Sequence, residues 1–324
     1  MTVLASGSKG NAAVVAAGAT RILVDAGLSC RELLRRMAAS GEDPAALTAI
    51  LITHEHVDHV AGLAMLARRL RIPVFFTEPT HRAWARLLTP KTTMSYSKWL
   101  ELRAAEQHAR QDEAAHAPAH TLAAVAVAEP EPEPQLEPED LPAPQAATAA
   151  KPDSTFLPAV EYFRAGHAFS IGEIDISPFT IPHDAADPCG FVFHARSESI
   201  RMAIATDLGY IPPNVKQALR EVDVLLLESN HDLEMLKDGP YPWSVKQRVL
   251  SRVGHLSNTA AAEFLLRDYD GGAHTIVLGH LSEQNNLPEL ARLAAEQAIA
   301  GRMSLLGNRL LLARQDVPLE PICL

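Results

Sequence analysis

One short run of the chain, residues 53–59, contains three histidines and an aspartate within six residues, directly after an apolar segment. Imidazole and carboxylate groups are the ligands that divalent zinc, manganese and iron accept. Because side chains alternate along an extended chain, His54 and His56 point to the same side and can bind one metal together. Asp58 and His59 follow at the turn into a helix predicted over residues 60–70, where they can bind a second metal. The alternative is a polar loop whose histidines are solvated.

Polar residues of the same ligand types end four other apolar, strand-like segments of the chain. These residues are Asp25, His183, Asp207 and His280. Architectures of the α/β class place their functional sites at the carboxyl ends of strands. A single residue of this kind would most simply cap a turn, but the repeated pattern indicates that the strand ends meet at one site.

In order and spacing, these residues resemble the five motifs of the metallo-β-lactamase fold superfamily. The segments 4–11, 228–232 and 254–258 resemble more narrowly the YycJ/WalJ group within that superfamily. The resemblance covers roughly residues 2–95 and 160–312. It implies a fold of the α/β class, a four-layer αββα sandwich with a site for two metals at one edge.

The resemblance also implies that the protein binds two divalent metal ions. They would be zinc or manganese, with iron possible. The first metal would be bound by three histidines, His54, His56 and His183. The second would be bound by Asp58, His59 and His280. Asp207 would bridge the two metals, and Asp25 would orient a ligand without binding metal itself.

Phosphodiester cleavage is the chemistry that suits two adjacent cations, which activate a water and stabilise the oxygens of an in-line displacement. Asp58 and Asp25 are the candidate catalytic carboxylates. His255 and His231 are candidates for protonating the leaving group or contacting phosphate, because imidazole can donate a proton at physiological pH. For both histidines the alternative is structural hydrogen bonding near the start of a helix.

The glycine-containing loop 6–11 is a candidate for contacts with substrate, because its glycines permit close approach of the backbone. Its candidate substrate-binding residues are Ser6, Ser8 and Asn11. A tight hairpin turn requires the same residue types.

A second candidate substrate contact lies before the helix that begins near residue 258. Ser257 or Asn258 would cap that helix and leave backbone amides for an anion. Lys246, Arg248 and Arg252 precede these residues and could contact a nucleic-acid backbone. A solvated helix face is the default interpretation of such a group of charges.

Acidic residues and prolines concentrate in the middle of the chain. Residues 104–158 contain ten acidic and two basic residues, in a chain of net charge −10, and residues 118–158 contain nine of the 23 prolines. This composition predicts a disordered acidic insertion over residues 104–158. Because metal-binding motifs lie on both sides of it, we predict a single domain over residues 1–324.

No membrane span is predicted, because no apolar run approaches the ~20 residues that a membrane helix needs. No signal peptide is predicted, because the first residues lack a basic and then hydrophobic pattern. We therefore expect a cytoplasmic protein. The three cysteines, Cys30, Cys189 and Cys323, lack the spacing of a zinc site and are expected as free or buried thiols. Packing within a strand is the expected role of Cys189.

The YycJ/WalJ resemblance implies a nuclease that degrades DNA from the 5′ end, in DNA repair. Nucleic acid is therefore the expected partner, with DNA favoured over RNA. The alternatives are an RNase Z-like or cyclic-nucleotide phosphodiesterase, a hydrolase of small thioesters or lactams, and a non-catalytic, metal-stabilised binding protein. An enzyme is favoured because Asp58, Asp207 and His280 are all present.

Overall fold

A computed structural model of the chain describes residues 1–89, Leu100, Arg103, 154–300 and 309–324. Within these residues the first sheet has six strands, which lie side by side in chain order. They are β1 (Thr2–Ala5), β2 (Ala12–Ala17), β3 (Thr20–Val24), β4 (Ala49–Leu51), β5 (Val74–Phe76) and β6 (Val160–Tyr162). The strands β1 to β3 pair antiparallel, and β3 to β6 pair parallel.

The second sheet has seven strands in the described residues, in the spatial order β13-β12-β11-β10-β9-β8-β7. They are β7 (Phe169–Ile171), β8 (Ile174–Thr180), β9 (Cys189–Ala195), β10 (Ile200–Ala205), β11 (Val224–Glu228), β12 (Thr275–Gly279) and β13 (Arg309–Leu312). The strands β7 to β10 pair antiparallel and β10 to β13 pair parallel.

Helices connect the strands of both sheets. They are α1 (Cys30–Ala39), α2 (Val57–Val60), α3 (Leu63–Leu70), α4 (Glu78–Leu88), α5 (Pro213–Ala218), α6 (Leu233–Asp238), α7 (Trp243–Val249), α8 (Asn258–Arg267) and α9 (Pro288–Ile299), with a 3-10 turn at Pro44–Ala46. The side chain of Ser29 caps α1 by accepting a hydrogen bond from the backbone N–H of Glu32.

Three apolar clusters divide the sheets and helices into four layers. One lies between the two sheets and includes Ile22 and Phe191. Another packs helices against the outer face of the first sheet, with Leu33 among its residues. The third packs helices against the outer face of the second sheet, around residues such as Phe264 and Leu225. The predicted four-layer αββα sandwich is confirmed, since each apolar face is buried against a neighbouring layer.

Strand direction brings the predicted ligands to one edge of this sandwich. The strands β3 and β4 run parallel, so Asp25 and the loop 53–59 leave the first sheet at the same edge. In the second sheet β10, β11 and β12 are mutually parallel. The strand β8 runs in the same direction, because β8 and β10 are both antiparallel to β9. The residues that follow these strands therefore emerge together.

The helix predicted over residues 60–70 is wrong in its extent, because the chain forms two helices there, α2 and α3. Gly62 lies between them, and a β-carbon at this position would clash with the backbone oxygen of Leu28. The close approach of two backbones, which periodicity does not record, interrupts the helix.

Most of the predicted insertion, residues 104–153, lies outside the described residues. Its last residues are described, and Leu157 is buried in the cluster on the outer face of the first sheet, so the packed body resumes before residue 158. The single-domain organisation stays a prediction. Among the described residues, no helix combines the length and apolarity of a membrane span. The cytoplasmic location stays a prediction.

The cysteines of the described residues are free thiols. Cys189 is buried between the two sheets, which confirms its predicted packing role. Burial raises the pKa of its thiol to about 12, so this thiol is unreactive at neutral pH.

Candidate metal centre

The first cluster of ligands contains the three histidines expected to share one metal. His54 and His56 follow β4, and His183 follows β8. The Nε2 atom of His183 lies 3.2 Å from Nδ1 of His56. One ring nitrogen from each of the three lies within 4.8 Å of the others, which is the spacing of a shared ion.

The second cluster joins Asp58, His59 and His280, which also lie within 4.8 Å of one another. The Oδ2 atom of Asp58 lies 3.6 Å from Nε2 of His59 and 3.6 Å from Nε2 of His280. Asp58 and His59 lie within the short helix α2, whereas the sequence predicts them at the turn before a helix.

Asp207 lies between the two clusters. Its Oδ2 atom is 3.4 Å from Nε2 of His59, and its Oδ1 atom is 3.8 Å from Nε2 of His183. The carboxylate is buried. Oδ1 also lies 3.5 Å from Nδ1 of His280, so the carboxylate contacts residues of both clusters, as the predicted bridging role requires.

Several buried polar atoms of the two clusters have no hydrogen-bond partner among the described residues. They are Nε2 of His54, Oδ2 of Asp207 and Nε2 of His280. A buried polar atom without a partner is costly, by about 1–3 kcal/mol. Nitrogen and carboxylate oxygen atoms in this arrangement are the donor set of zinc, manganese and iron. The side chains therefore fit divalent metal ions.

Three residues of the site have a left-handed backbone conformation. Asp25, Asp207 and His280 have φ angles of 60°, 61° and 56°. This region is sparsely populated by residues other than glycine, and Asn, Asp and His tolerate it best. Such strain is typical of functional sites, where the surrounding structure holds the residue in place.

The carboxylates control the charge of the histidines in the second cluster. Burial opposes protonation of His59, but Asp207, Asp25 and Asp58 outweigh burial and raise its pKa to about 9. For His280, burial is likewise outweighed by the nearby carboxylates of Asp207, Asp58 and Glu228, which raise its pKa well above the ordinary value.

In the first cluster, the pKa values of two histidines are lowered instead of raised. Burial, with His59 and His183 nearby, lowers the pKa of His54 well below its ordinary value. Burial also lowers the pKa of His183. Neutral imidazole is the form that binds metal, so the lowered pKa values of His54 and His183 favour metal binding at neutral pH.

Asp25 has the geometry predicted for a residue that orients a ligand. Its Oδ2 atom lies 2.8 Å from Nδ1 of His59, and its Oδ1 atom accepts a hydrogen bond of 2.9 Å from the backbone N–H of Thr53. The hydroxyl of Thr53 lies 3.0 Å from Nδ1 of His54. Thr53 was not predicted as a site residue, since a threonine at a strand end is not a typical metal ligand.

Glu228 was also missed as a site residue. It ends β11 and is fully buried, with its Oε1 atom 2.8 Å from Nδ1 of His255 and 2.9 Å from Nδ1 of His280. Its Oε2 atom accepts hydrogen bonds from the backbone N–H groups of Leu208 and Leu256. The rule that found the other ligands, a polar residue ending an apolar strand, also applies to Glu228.

The two candidate proton donors differ in their surroundings. His255 lies between the clusters, with ring centroids 5.2 Å from His183 and 5.1 Å from His280, and its side chain is 21% exposed. His231 is buried, and burial lowers its pKa to about 4. At neutral pH His231 is therefore uncharged, and only His255 combines access to solvent with contact to the site.

The loop 6–11 reaches the site with two of its three candidate side chains. The hydroxyl of Ser6 accepts a hydrogen bond of 2.8 Å from the backbone N–H of His280. The Nδ2 atom of Asn11 lies 3.0 Å from Nε2 of His59. Ser8 is exposed at the tip of the turn. Their contact with substrate stays a prediction.

Ser257 and Asn258 have structural partners. Ser257 caps α8 by accepting a hydrogen bond from the backbone N–H of Ala260, as predicted. Asn258 is buried and accepts a hydrogen bond of 2.7 Å from the hydroxyl of Ser229. These side chains are occupied within the protein, and their role in substrate binding stays a prediction.

Asp184 and Arg248 form a further pair at the mouth of the site that sequence analysis did not identify. One carboxylate oxygen of Asp184 is 3.5 Å from Nε2 of His183, and the other is paired with Nε of Arg248. Arg248 of α7 is thereby joined to the first cluster.

Comparison with known proteins places this site in a family context. The family model of the metallo-beta-lactamase superfamily matches residues 6–280. The chain is 31% identical over 299 residues to the exodeoxyribonuclease WalJ of Streptococcus pneumoniae, covering 92% of this chain and 87% of the relative. It is 31% identical over 300 residues to the exodeoxyribonuclease YycJ of Bacillus anthracis, covering 92% and 88%.

A solved structure shows the same fold at much lower sequence similarity. The metallo-beta-lactamase fold protein YhfI from Bacillus subtilis superposes with a TM-score of 0.58 at 14% identity, covering 99% of this chain and 98% of the other.

Proposed function

Because the chain belongs to the metallo-beta-lactamase superfamily, and within it to the YycJ/WalJ group, we propose that it is a dimetal-dependent phosphodiester hydrolase that degrades DNA from the 5′ end. Membership makes the chain a hydrolase of that superfamily. The observation that carries the proposal is the pair of ligand clusters with Asp207 between them, in a chain whose relatives are named exodeoxyribonucleases. A role in DNA repair and a cytoplasmic location are parts of the same proposal.

Two divalent ions would be bound by seven side chains, and zinc or manganese suits these donors. The side chains are His54, His56, Asp58, His59, His183, Asp207 and His280. When bound, such ions acidify a water and stabilise the oxygens of an in-line displacement at phosphorus. Other side chains of the protein would position the DNA strand and transfer protons.

Asp58 is the side chain best placed to take a proton from the attacking water. It is 25% exposed, whereas His59 and His280 beside it are buried. In the metal-free protein, the nearby positive charges of His59 and His280 outweigh the effect of burial and keep the pKa of Asp58 below its ordinary value. The carboxylate is therefore ionised at neutral pH and able to accept a hydrogen bond.

His255 is the side chain assigned to protonate the leaving oxygen. Glu228 holds its Nδ1 atom, so Nε2 is the ring nitrogen directed to a substrate. Asp25 and Thr53 orient the ligands of both clusters and do not need to touch the substrate.

The experiment that tests the proposal is a parallel digestion of single- and double-stranded DNA and RNA, labelled at either end, with added manganese or zinc. We expect 5′-labelled DNA to release labelled mononucleotide at once, and 3′-labelled DNA to shorten progressively. The variant Asp58→Asn should lose activity by about 100-fold or more. The matched control is Asp175→Asn, since Asp175 pairs with Arg196 on the second sheet, outside the ligand clusters.

Each outcome of this digestion has one meaning. Degradation of RNA alone would show that RNA, and not DNA, is the substrate. Release of nucleotides from the 3′ end would show that the proposed 5′ polarity is wrong. Equal activity of Asp58→Asn and the wild type would refute the mechanism. DNA binding without hydrolysis of any substrate, including bis-p-nitrophenyl phosphate, would identify a metal-stabilised binding protein.

A further inference from the structure

We propose that α7 and the loop after it, residues 242–254, form a docking surface for single-stranded nucleic acid. We call these residues the α7 surface. The inference rests on the proposed nuclease function and adds where the strand lies before it is cleaved.

The α7 surface is joined to the first ligand cluster by hydrogen bonds. The backbone N–H of Asp184 donates to the carbonyl oxygen of Val253 at 3.2 Å, and Nδ1 of His183 lies 3.2 Å from the carbonyl oxygen of Gly254. The backbone N–H of His255 donates to the carbonyl oxygen of Val249 at the end of α7. A nucleic-acid strand bound on this surface would therefore lie next to the first ligand cluster.

Apolar side chains on this surface are exposed to solvent. Among the described residues, α7 has no buried residue, and Trp243 at its start is 66% exposed. Leu250 and Val253 are exposed as well. The contrast is Trp84, which is fully buried in the core. An exposed tryptophan in a row of exposed apolar residues marks an interaction surface.

Positive charge is concentrated on the same surface. Residues 239–262 contain three cations, Lys246, Arg248 and Arg252, and no carboxylate, in a chain of net charge −10. Arg248 is 61% exposed while one of its nitrogens contacts Asp184. The guanidinium of Arg252 lies 4.5 Å from the ring centre of Tyr210. Charge of this sign, on a protein that is acidic as a whole, selects an anionic partner.

An aromatic side chain beside cations is the arrangement that binds single strands, because bases stack on the ring and phosphates contact the cations. A duplex keeps its bases stacked inside and presents no base face to Trp243. A second copy of this surface would bring like charges together. Helical rise places Trp243 about 9 Å along the axis from Val249, within the span of a few nucleotides from the site.

The test measures binding of a fluorescent, phosphorothioate-linked oligothymidylate to the metal-loaded full chain by anisotropy, over a series of salt concentrations. We expect Trp243→Ala to weaken binding about 5-fold or more, and Trp243→Phe to stay near the wild type because it keeps an aromatic face. Arg252→Gln should reduce the slope of log affinity against log salt by about 0.7. The matched controls are Leu293→Ala and Arg82→Gln, at exposed residues of α9 and α4.

A second probe separates stacking from charge. An abasic oligonucleotide of the same length keeps the phosphates but lacks bases, so the wild type and Trp243→Ala should bind it equally. Hydrolysis of bis-p-nitrophenyl phosphate by the wild type is measured on the same preparation. Sedimentation shows whether Trp243→Ala changes the oligomeric state.

The outcomes separate this proposal from the proposed function. If the wild type is active and Trp243→Ala binds oligothymidylate as tightly as the wild type, the docking surface is refuted and the nuclease stands. If the wild type neither binds nor hydrolyses, both are refuted. A changed oligomeric state with unchanged affinity would assign the α7 surface to a second copy of the chain and would also refute the proposal.

Discussion

The Oε1 atom of Glu228 lies 2.9 Å from Nδ1 of His280, and both side chains are buried. This contact directs Nε2 of His280 towards Asp58, where the second cluster of ligands lies. The His255 ring is held by the same oxygen. One carboxylate thus positions a proposed metal ligand and the proposed proton donor together, a role that carboxylates next to ligating histidines commonly have.

Substituting Glu228→Gln should weaken metal binding by about 10- to 100-fold and lower nuclease activity. The amide keeps one oxygen as acceptor for the backbone N–H groups of Leu208 and Leu256, so the fold should be retained. Titration of metal against a competing chelator measures the affinity, and thermal unfolding checks the fold. Glu283→Gln, at an exposed carboxylate paired with Lys9, is the control. An affinity within 2-fold of wild type would show that Glu228 has no positioning role.

Asp207 combines a ligand role with a left-handed backbone, and two substitutions separate these properties. Asp207→Asn removes the charge but suits the φ angle of 61°, whereas Asp207→Ala removes the charge and adds strain of about 1 kcal/mol or more. Both variants should lose the coupling between the clusters and bind at most one metal tightly. Metal content is measured by atomic absorption after gel filtration.

Stability should distinguish the two variants. The free energy of unfolding of the metal-free protein, measured in urea, should be lower for Asp207→Ala than for Asp207→Asn. The variant Ser199→Ala is a suitable control for strain alone, because Ser199 has a φ angle of 56° in a surface turn. Equal stability of the two Asp207 variants would mean that the backbone relaxes at no cost.

Metal binding at pH 7 should release about one proton from His59. Burial favours its neutral form, but Asp207, Asp25 and Asp58 outweigh burial, and the pKa is about 9 in the metal-free protein, so the ring is protonated at pH 7. Metal binds only the neutral ring, and its affinity should therefore rise as the pH rises towards 9. Calorimetry in buffers of different ionisation enthalpy measures the released protons, and the variant His59→Gln should release fewer.

The sign of the corresponding stability effect follows from the same shift. A histidine with a raised pKa stabilises the folded state fully below its ordinary pKa of about 6.5. That contribution is lost as the pH rises through about 9. The melting temperature of metal-free protein should therefore fall over this range in the wild type, and fall less in His59→Gln. A flat profile in both proteins would contradict the raised pKa.

The sequence predicts that the candidate ligands come together because they follow apolar strands, and parallel strands deliver such residues to one edge. That rule was sufficient for Asp25, Asp207 and His280. The same rule applies to Glu228. It was not predicted as a site residue, because His231, three residues later, has the residue type expected for proton transfer. The buried environment that makes His231 neutral depends on packing, and no local pattern indicates it.

Contacts between distant segments were beyond what the sequence could predict. The pairing of Asp184 with Arg248 joins residues 64 positions apart, and nothing near either residue signals the other. The interruption between α2 and α3 also needs a tertiary contact, since Gly62 alone is compatible with a continuous helix. Left-handed φ angles at Asp25, Asp207 and His280 similarly follow from the turn that each strand must make into the site.

Gly27 shows how closely the backbone packs beneath the second cluster. Its N–H donates to the carbonyl oxygen of Asn11 at 2.9 Å, and the N–H of Asn11 donates to the carbonyl oxygen of Asp58 at 2.7 Å. A β-carbon on Gly27 would clash with that oxygen of Asp58. Because both neighbours are backbone, they can move only by shifting the loop 6–11 or α2.

We therefore expect Gly27→Ala to destabilise the fold by about 1–3 kcal/mol, the usual cost of overpacking. The shift of α2 should also move Asp58 and His59, so the second metal should be lost before the first. Urea unfolding and metal content per chain measure the two effects. The control is Gly272→Ala, whose new β-carbon would meet only an exposed carboxylate oxygen of Asp270 at 3.3 Å. Full metal content in Gly27→Ala would show that α2 is positioned independently of this contact.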